Sequence, residues 1–370
     1  MIKTNVIIAA LTWCSASPTP FEQTSEKRPI EFNDLFSGQF SSSTTSSYTW
    51  ISANEYLTRS RDSEGNCIFN KNLVEVVDGQ FETSTSKFAD CTKYDDPDKQ
   101  YSSYLLSKDA KYIAYRSNYI KKWRHSYIAD YDIYELSTEM MLSSLNSVQY
   151  FTFSKNSDMW AYVKDNNIFI TDRNGGHFDQ QVTFNGEKEK IFNGIPDWVY
   201  EEEVVGTNNM LYWSPNDQFI AYVVTDDTKV DHILYQTYGE SNQIYSGMED
   251  IAYPKPSTTN PSLIIHVVDL SRLFSNDPDN QYDLDESSFE VFSWAPASDN
   301  YVLKDIYWFE DVEDDRLSFI AYWMDRIQTE STIIRYRMYG FDNEPDFGFY
   351  FLGWERKLVN LQKYHEFKRI

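Results

Sequence analysis

Polar and apolar positions alternate along this chain in short runs of one recurring form: an apolar residue, a serine, a polar turn, then a stretch rich in Tyr, Ile, Val and Ala. The form is seen at 50–57 and returns at 106–115, 153–163 and 213–223. Its turn serines, Ser52, Ser107, Ser154 and Ser214, stand 55, 47 and 60 residues apart. One blade of a β-propeller, four antiparallel strands with their turns, takes about 40–50 residues, so the interval is blade-sized. A weaker copy at 316–323 follows an acidic, turn-rich stretch at 275–288, which predicts a further blade and an insertion. Segments such as 112–116 and 167–172 are short, β-branched or aromatic, and bounded by turn residues, as strands are and helices are not. The pattern predicts an all-β protein, a partial β-propeller of four-stranded blades with room for about five to six of them. A ring left incompletely closed would expose an edge strand and a soft end near the carboxyl terminus.

Composition supports folded, pleated structure. Aromatic residues make up 17% of the 370 residues, against only 13 Gly and 12 Pro. The balance of 33 basic and 57 acidic residues, a net charge of −24, disfavours nucleic acid and anionic membrane surfaces as partners. By itself such a charge is otherwise a solubility device. Residues 1–16 read as a secretory signal peptide, with Lys3, an apolar segment at 5–13 and the small-residue site Cys14-Ser15-Ala16, leaving 17–370 for the propeller. No later run approaches the roughly 18 apolar residues of a membrane helix, so the expected location is extracellular, with an uncleaved signal anchor as the alternative. In an oxidising compartment Cys67 and Cys91 form an even pair, which predicts a local disulfide, the alternative being two buried free thiols. The single candidate glycosylation site, Asn260-Pro261-Ser262, carries the forbidden proline.

Two stretches stand out for chemistry: 119–127, leading into 131–134, and 194–204 with its three consecutive glutamates. On a strand those glutamates would alternate faces, whereas a short helical turn can aim two neighbouring carboxylates at one spot. Two such carboxylates repel each other unless a cation sits nearby, so they would receive an ammonium group or an arginine. The plainer reading is a solvated acidic run.

The string Asp197-Trp198-Val199-Tyr200-Glu201-Glu202-Glu203, then Trp213-Ser214-Pro215-Asn216, Tyr253-Pro254-Lys255-Pro256 and Asn260-Pro261, resembles the propeller of the dipeptidyl peptidase IV and fibroblast activation protein family. So do Trp123-Arg124-His125-Ser126-Tyr127 with Tyr131-Asp132-Ile133-Tyr134, and Trp50-Ile51-Ser52 with Glu55-Tyr56-Leu57. The landmarks run in order over residues 30–330, and the match fades after Ile334. The resemblance implies that Glu202 and Glu203 grip the free amino terminus of a peptide, while Arg124 organises the site and holds a substrate carbonyl. Two carboxylates and a guanidinium can satisfy an ammonium and measure a substrate from its end. Gly206 stands where relatives often carry a serine, which trims a side contact. The resemblance also places a dimerisation arm at 230–253, implying a homodimer. It leaves open whether Phe349, Phe351 or Trp354 supplies a pocket aromatic.

In that family a serine, an aspartate and a histidine on an α/β-hydrolase domain do the cutting, the serine on a G-x-S-x-G elbow. No G-x-S-x-G occurs in these 370 residues, and Gly353-Trp354-Glu355 is only a superficial echo. The five histidines are scattered; His125 and Ser126, adjacent on an expected strand, would point to opposite sides and relay no proton. No H-E-x-x-H or C-x-x-C occurs, so no catalytic residue, metal or cofactor is expected. Two readings follow: the propeller half of a secreted serine aminodipeptidase whose hydrolase domain is missing from this chain, or a stand-alone propeller binding peptide amino termini or a protein partner. Descent from inactive membrane relatives that partner channels fits less well, since the leader is too short to anchor.

Overall fold

The turn serines close their turns by one device. In three of the four the serine N–H donates to the carbonyl oxygen of the residue five positions on, and the serine Oγ accepts that residue's N–H. The distances are 2.9 and 2.9 Å for Ser107 with Tyr112, 2.9 and 3.3 Å for Ser154 with Met159, and 2.9 and 3.0 Å for Ser214 with Phe219. Tyr112, Met159 and Phe219 are each the first residue of a strand. These three serines are buried, and buried hydroxyls need such partners. Ser52 makes a shorter version, its Oγ accepting the N–H of Asn54 and of Glu55, where the next strand begins.

The computed structural model describes residues 48–95, 98–156, 159–238, 245–274, 288–290, 301–310, 317–329 and 331–337. The leader at 1–16, most of the acidic stretch at 275–288, and Phe349, Phe351 and Trp354 lie outside them. Three four-stranded antiparallel sheets come first. The first holds β1 (Tyr48–Trp50), β2 (Glu55–Arg61), β3 (Cys67–Val77) and β4 (Gln80–Asp90). The second holds β5 (Ser103–Leu106), β6 (Tyr112–Lys121), β7 (Tyr127–Glu135) and β8 (Met141–Val148). The third holds β9 (Tyr150–Phe153), β10 (Met159–Lys164), β11 (Asn167–Asp172) and β12 (His177–Gln181). A fourth, five-stranded sheet orders β13 (Ile191–Asn193), β15 (Phe219–Asp226), β18 (Ser262–Asp269) and β19 (Ser288–Glu290), with β14 (Leu211–Trp213) also on β15. Between β15 and β18 the chain makes a separate hairpin, β16 (His232–Thr237) with β17 (Gly247–Ala252). The fifth sheet holds β20 (Tyr301–Glu310), β21 (Leu317–Asp325) and β22 (Ser331–Arg337). β21 is the strand of the weak repeat copy. The protein is an all-β propeller, with five blades among the described residues.

Each blade packs on the next through an apolar layer, and side-chain alternation along the strands supplies both sides of it. On β10, Trp160 and Tyr162 meet Ala129, Tyr131 and Ile133 of the second sheet, while Ala161 and Val163 meet Phe192, Ile220 and Tyr222 of the fourth. On β15, Ile220 and Tyr222 face the third sheet, whereas Ala221 and Val223 face Phe319, Ala321 and Trp323 of the fifth. Strands covered on both faces read as unbroken apolar runs.

Cys67 and Cys91 form the expected disulfide, with Cα atoms 5.0 Å apart. It joins the start of β3 to the residue after β4, where Cys91 N–H also donates to Cys67 O at 3.0 Å. Both cysteines are buried against Phe69, Tyr101 and Tyr115. Among the described residues no helix is long and apolar enough to cross a membrane.

Candidate functional site

Two segments two sheets apart meet at the three glutamates. The first is the loop 122–126 between β6 and β7, whose turn closes as the N–H groups of Lys122 and Trp123 donate to Ser126 O at 2.9 and 3.3 Å. β6 and β7 slip register between Ser117 and Ile120, pair again at Ile120 with Ile128 and Lys121 with Tyr127, and the chain turns over 122–126. His125 and Ser126 therefore sit in a loop, not on the expected strand, and both turn their backbone N–H groups the same way. At the loop's root, the Arg116 guanidinium lies 4.5 Å from the Tyr119 ring centroid and 4.9 Å from that of Tyr127.

The second segment is a π-helical turn, Tyr200–Val205, the expected short helical turn in its wider form. Asp197 starts it: Oδ1 accepts the N–H of Tyr200 at 3.1 Å, and the Asp197 carbonyl accepts that of Glu201 at 3.0 Å. Gly206 ends it at φ 70°, the left-handed conformation in which glycine is unstrained. A Cβ there would touch nothing within 4 Å, so a serine would find space but a strained backbone. Tyr200 is buried against the fifth sheet, and the Lys304 ammonium of β20 bonds the Val204 carbonyl. Trp198, just before the turn, packs on Tyr253 at 4.9 Å between ring centroids, bringing two of the motif strings together.

Consecutive residues of a helical turn point in different directions, and the three glutamates take three environments. Glu201 is fully buried, and its Oε1 accepts the N–H groups of His125 at 2.6 Å and Ser126 at 2.9 Å. Glu202 Oε2 pairs with Arg124 Nε at 2.7 Å, and its Oε1 accepts the Arg124 N–H at 3.2 Å. Glu203 is exposed and, among the described residues, its side chain makes no hydrogen bond or ion pair. The structure thus joins Arg124 to Glu202, while the next residue along the turn, Glu203, is exposed with its carboxylate unpaired among the described residues. The Arg124 side chain is 68% exposed and uses only Nε on Glu202, so its two terminal nitrogens face no partner among the described residues. Sequence reasoning passed over Glu201. Its signal was that the run holds three acids where two suffice for an ammonium, Glu201 being the first of them.

Behind the turn lie two more acids. Asp227 is fully buried with no partner for either carboxylate oxygen, and Asp197 is buried too. Burial pushes both carboxyls well above the usual range, and their mutual repulsion adds to it for Asp227. Among the described residues no group of three His, Cys, Asp or Glu side chains is arranged to hold a metal ion. His266 stacks on Tyr222 at 5.1 Å, and burial lowers its pKa to about 4, so it is a neutral core ring.

A family model for the dipeptidyl peptidase IV (DPP IV) N-terminal region matches residues 107–343. Dipeptidyl peptidase 4 of Bos taurus is 33% identical over 289 residues, covering 76% of this chain and 34% of its own length. Prolyl endopeptidase FAP of Homo sapiens is 33% identical over 342 residues, covering 90% of this chain and 40% of its own. The chain thus spans between a third and two fifths of the length of these curated relatives. The crystal structure of Porphyromonas gingivalis dipeptidyl peptidase 4 superposes with a TM-score of 0.65 at 22% identity, covering 84% of this chain and 41% of its own, a likeness of fold.

Proposed function

Because this chain belongs to the dipeptidyl peptidase IV family, matching its amino-terminal propeller region, we propose that it binds the free amino terminus of peptides through Glu202 and Glu203. The observation that carries the reading is the 2.7 Å pair of Arg124 Nε with Glu202 Oε2, next in sequence to an exposed Glu203 whose carboxylate is unpaired among the described residues. Glu202 is balanced by Arg124, and Glu203 is left with one negative charge for one ammonium. Three ammonium hydrogens have acceptors on two carboxylates, and the open terminal nitrogens of Arg124 suit the carbonyl oxygen that follows. A peptide held by its first amine and first carbonyl is measured from its end, the recognition that release of amino-terminal dipeptides requires.

In this reading the chain is the recognition half of a serine aminodipeptidase. With no G-x-S-x-G among its 370 residues, bond cleavage belongs to a hydrolase domain outside this sequence. The buried disulfide supports an extracellular, oxidising setting. The exposed Leu234 and Met248 on the β16–β17 hairpin support a homodimer through the arm.

Calorimetric titration with an Ala-Pro peptide bearing a free amine, and with its N-acetylated twin, tests the proposal. Binding of the first and at least about tenfold weaker binding of the second is expected, since acetylation removes the charge and two donors. Equal affinity for the two overturns it.

A further inference from the structure

The loop 122–126 presents three consecutive backbone N–H groups, those of Arg124, His125 and Ser126, to the acids of the π-helical turn. Successive amides aimed at one point form an anion-binding concavity. Its principal occupant is Glu201, which lies 76 residues from His125, is fully buried, and gives one oxygen, Oε1, to two of the three amides. A carboxylate withdrawn from water in this way is stabilised by charge-assisted hydrogen bonds and is costly to leave without them. Asp217 offers a comparison: it clamps Lys155 N–H and Asn156 N–H at 2.8 and 2.6 Å, one to each oxygen, at a turn that carries no candidate binding residue. At Glu201 the clamped amides follow directly on Arg124, so the clamp sets where the guanidinium starts.

We infer that Glu201 is a positioning residue: by holding the His125 and Ser126 amides it docks the β6–β7 loop on the turn and places Arg124 against Glu202, so that the guanidinium meets a peptide's first carbonyl. The inference deepens the proposed function and rests on it for the ligand, but the placement of Arg124 is measurable without any ligand. Glu201 itself touches no ligand. It acts through the loop, and its removal leaves Glu202 and Glu203 in place as acceptors while Arg124 loses its fixed origin.

Two measurements on Glu201→Ala and Glu201→Gln test this. In the first, without peptide, the Nε–H resonance of Arg124 is followed by NMR in the chain labelled with 15N-arginine. Its exchange with water is expected to be slow in the parent, about tenfold faster in Glu201→Gln, whose neutral oxygen is a weaker acceptor, and faster still in Glu201→Ala. A folded variant of either kind with unchanged exchange overturns the inference, and Glu201→Gln carries this test if the alanine variant does not fold. In the second, titration with the free-amine Ala-Pro peptide compares Arg124→Ala with Arg124→Ala/Glu201→Ala, or with Arg124→Ala/Glu201→Gln if the alanine variant does not fold. If Glu201 acts through Arg124, the double variant binds no more weakly than the single one. Additive losses would mean that Glu201 holds the fold generally and would also overturn the inference. Failure of the parent to bind peptide would sink the proposed function instead, with the exchange measurement still deciding the role of Glu201.

Discussion

Arg124 and Glu202 lie 78 residues apart in sequence, on the second blade and beside the fourth, and their side chains meet at 2.7 Å. The pair is half in solvent: Arg124 is largely exposed, while the Glu202 side chain is 9% exposed. It is therefore both anchored and reachable, as a recognition group has to be.

Arg124→Lys keeps the charge and removes the planar fork. Peptide affinity should fall about tenfold while thermal stability stays within about 0.5 kcal/mol, because lysine keeps a positive charge beside Glu202 and the Arg124 end of the pair lies in solvent. Titration and thermal melting of the same preparation check this; unchanged affinity would show that charge alone suffices at this position.

The Cys67–Cys91 link closes a loop of 24 residues. Chain entropy assigns such a loop about 3 kcal/mol, so replacing both cysteines by alanine should lower the denaturation midpoint accordingly and leave peptide binding intact. Chemical denaturation of oxidised parent and variant measures it, and a loss under about 1 kcal/mol would mean that the unlinked chain is already constrained there.

Asp227 makes stability depend on pH. Its carboxyl is pushed up by burial in the folded protein, above its ordinary value of 3.8. A group of this sign stabilises the fold fully below its unfolded pKa, and the contribution is lost as pH rises through the folded value. The parent should therefore melt progressively lower as pH rises from 3.8 to about 9, and Asp227→Asn should flatten that decline. Parallel profiles for the two proteins would remove Asp227 from the account.

Leu234 pairs with Asp250 and Gln236 with Met248, which puts Leu234 and Met248 on one face of the β16–β17 hairpin, 67% and 58% exposed. If this face joins two copies of the chain, Leu234→Asp with Met248→Asp converts a sedimenting dimer to monomer without changing the melting temperature. A parent that remains monomeric at high concentration would refute the arm contact.

The first four blades were legible because in each a serine turn stands before an inner strand. Ser107, Ser154 and Ser214 bond the first residue of the following strand, and a local rule of that kind is visible in a single sequence. Cys67 and Cys91 were legible for a similar reason, as neighbours across one hairpin. Glu201 was not, since three identical residues in a row differ only in the direction each takes around the turn, and the neighbouring blades set that direction. His125 and Ser126 were misread as strand because the aromatic run before them looks extended. Where the strands stop, after Lys121 pairs with Tyr127, and the register slip before it are properties of the pairing between β6 and β7 and not of either strand alone.

The third blade, which carries neither half of the site, is what spaces them. β10 turns the bulky Trp160 and Tyr162 toward the blade that bears Arg124 and the small Ala161 and Val163 toward the blade beside Glu202. That asymmetric layer works as a shim. Its thickness fixes the gap that one guanidinium and one carboxylate must bridge, so trimming an indole deep in the molecule would be felt at the mouth of the site as a misfit of distance, with every charged group still present.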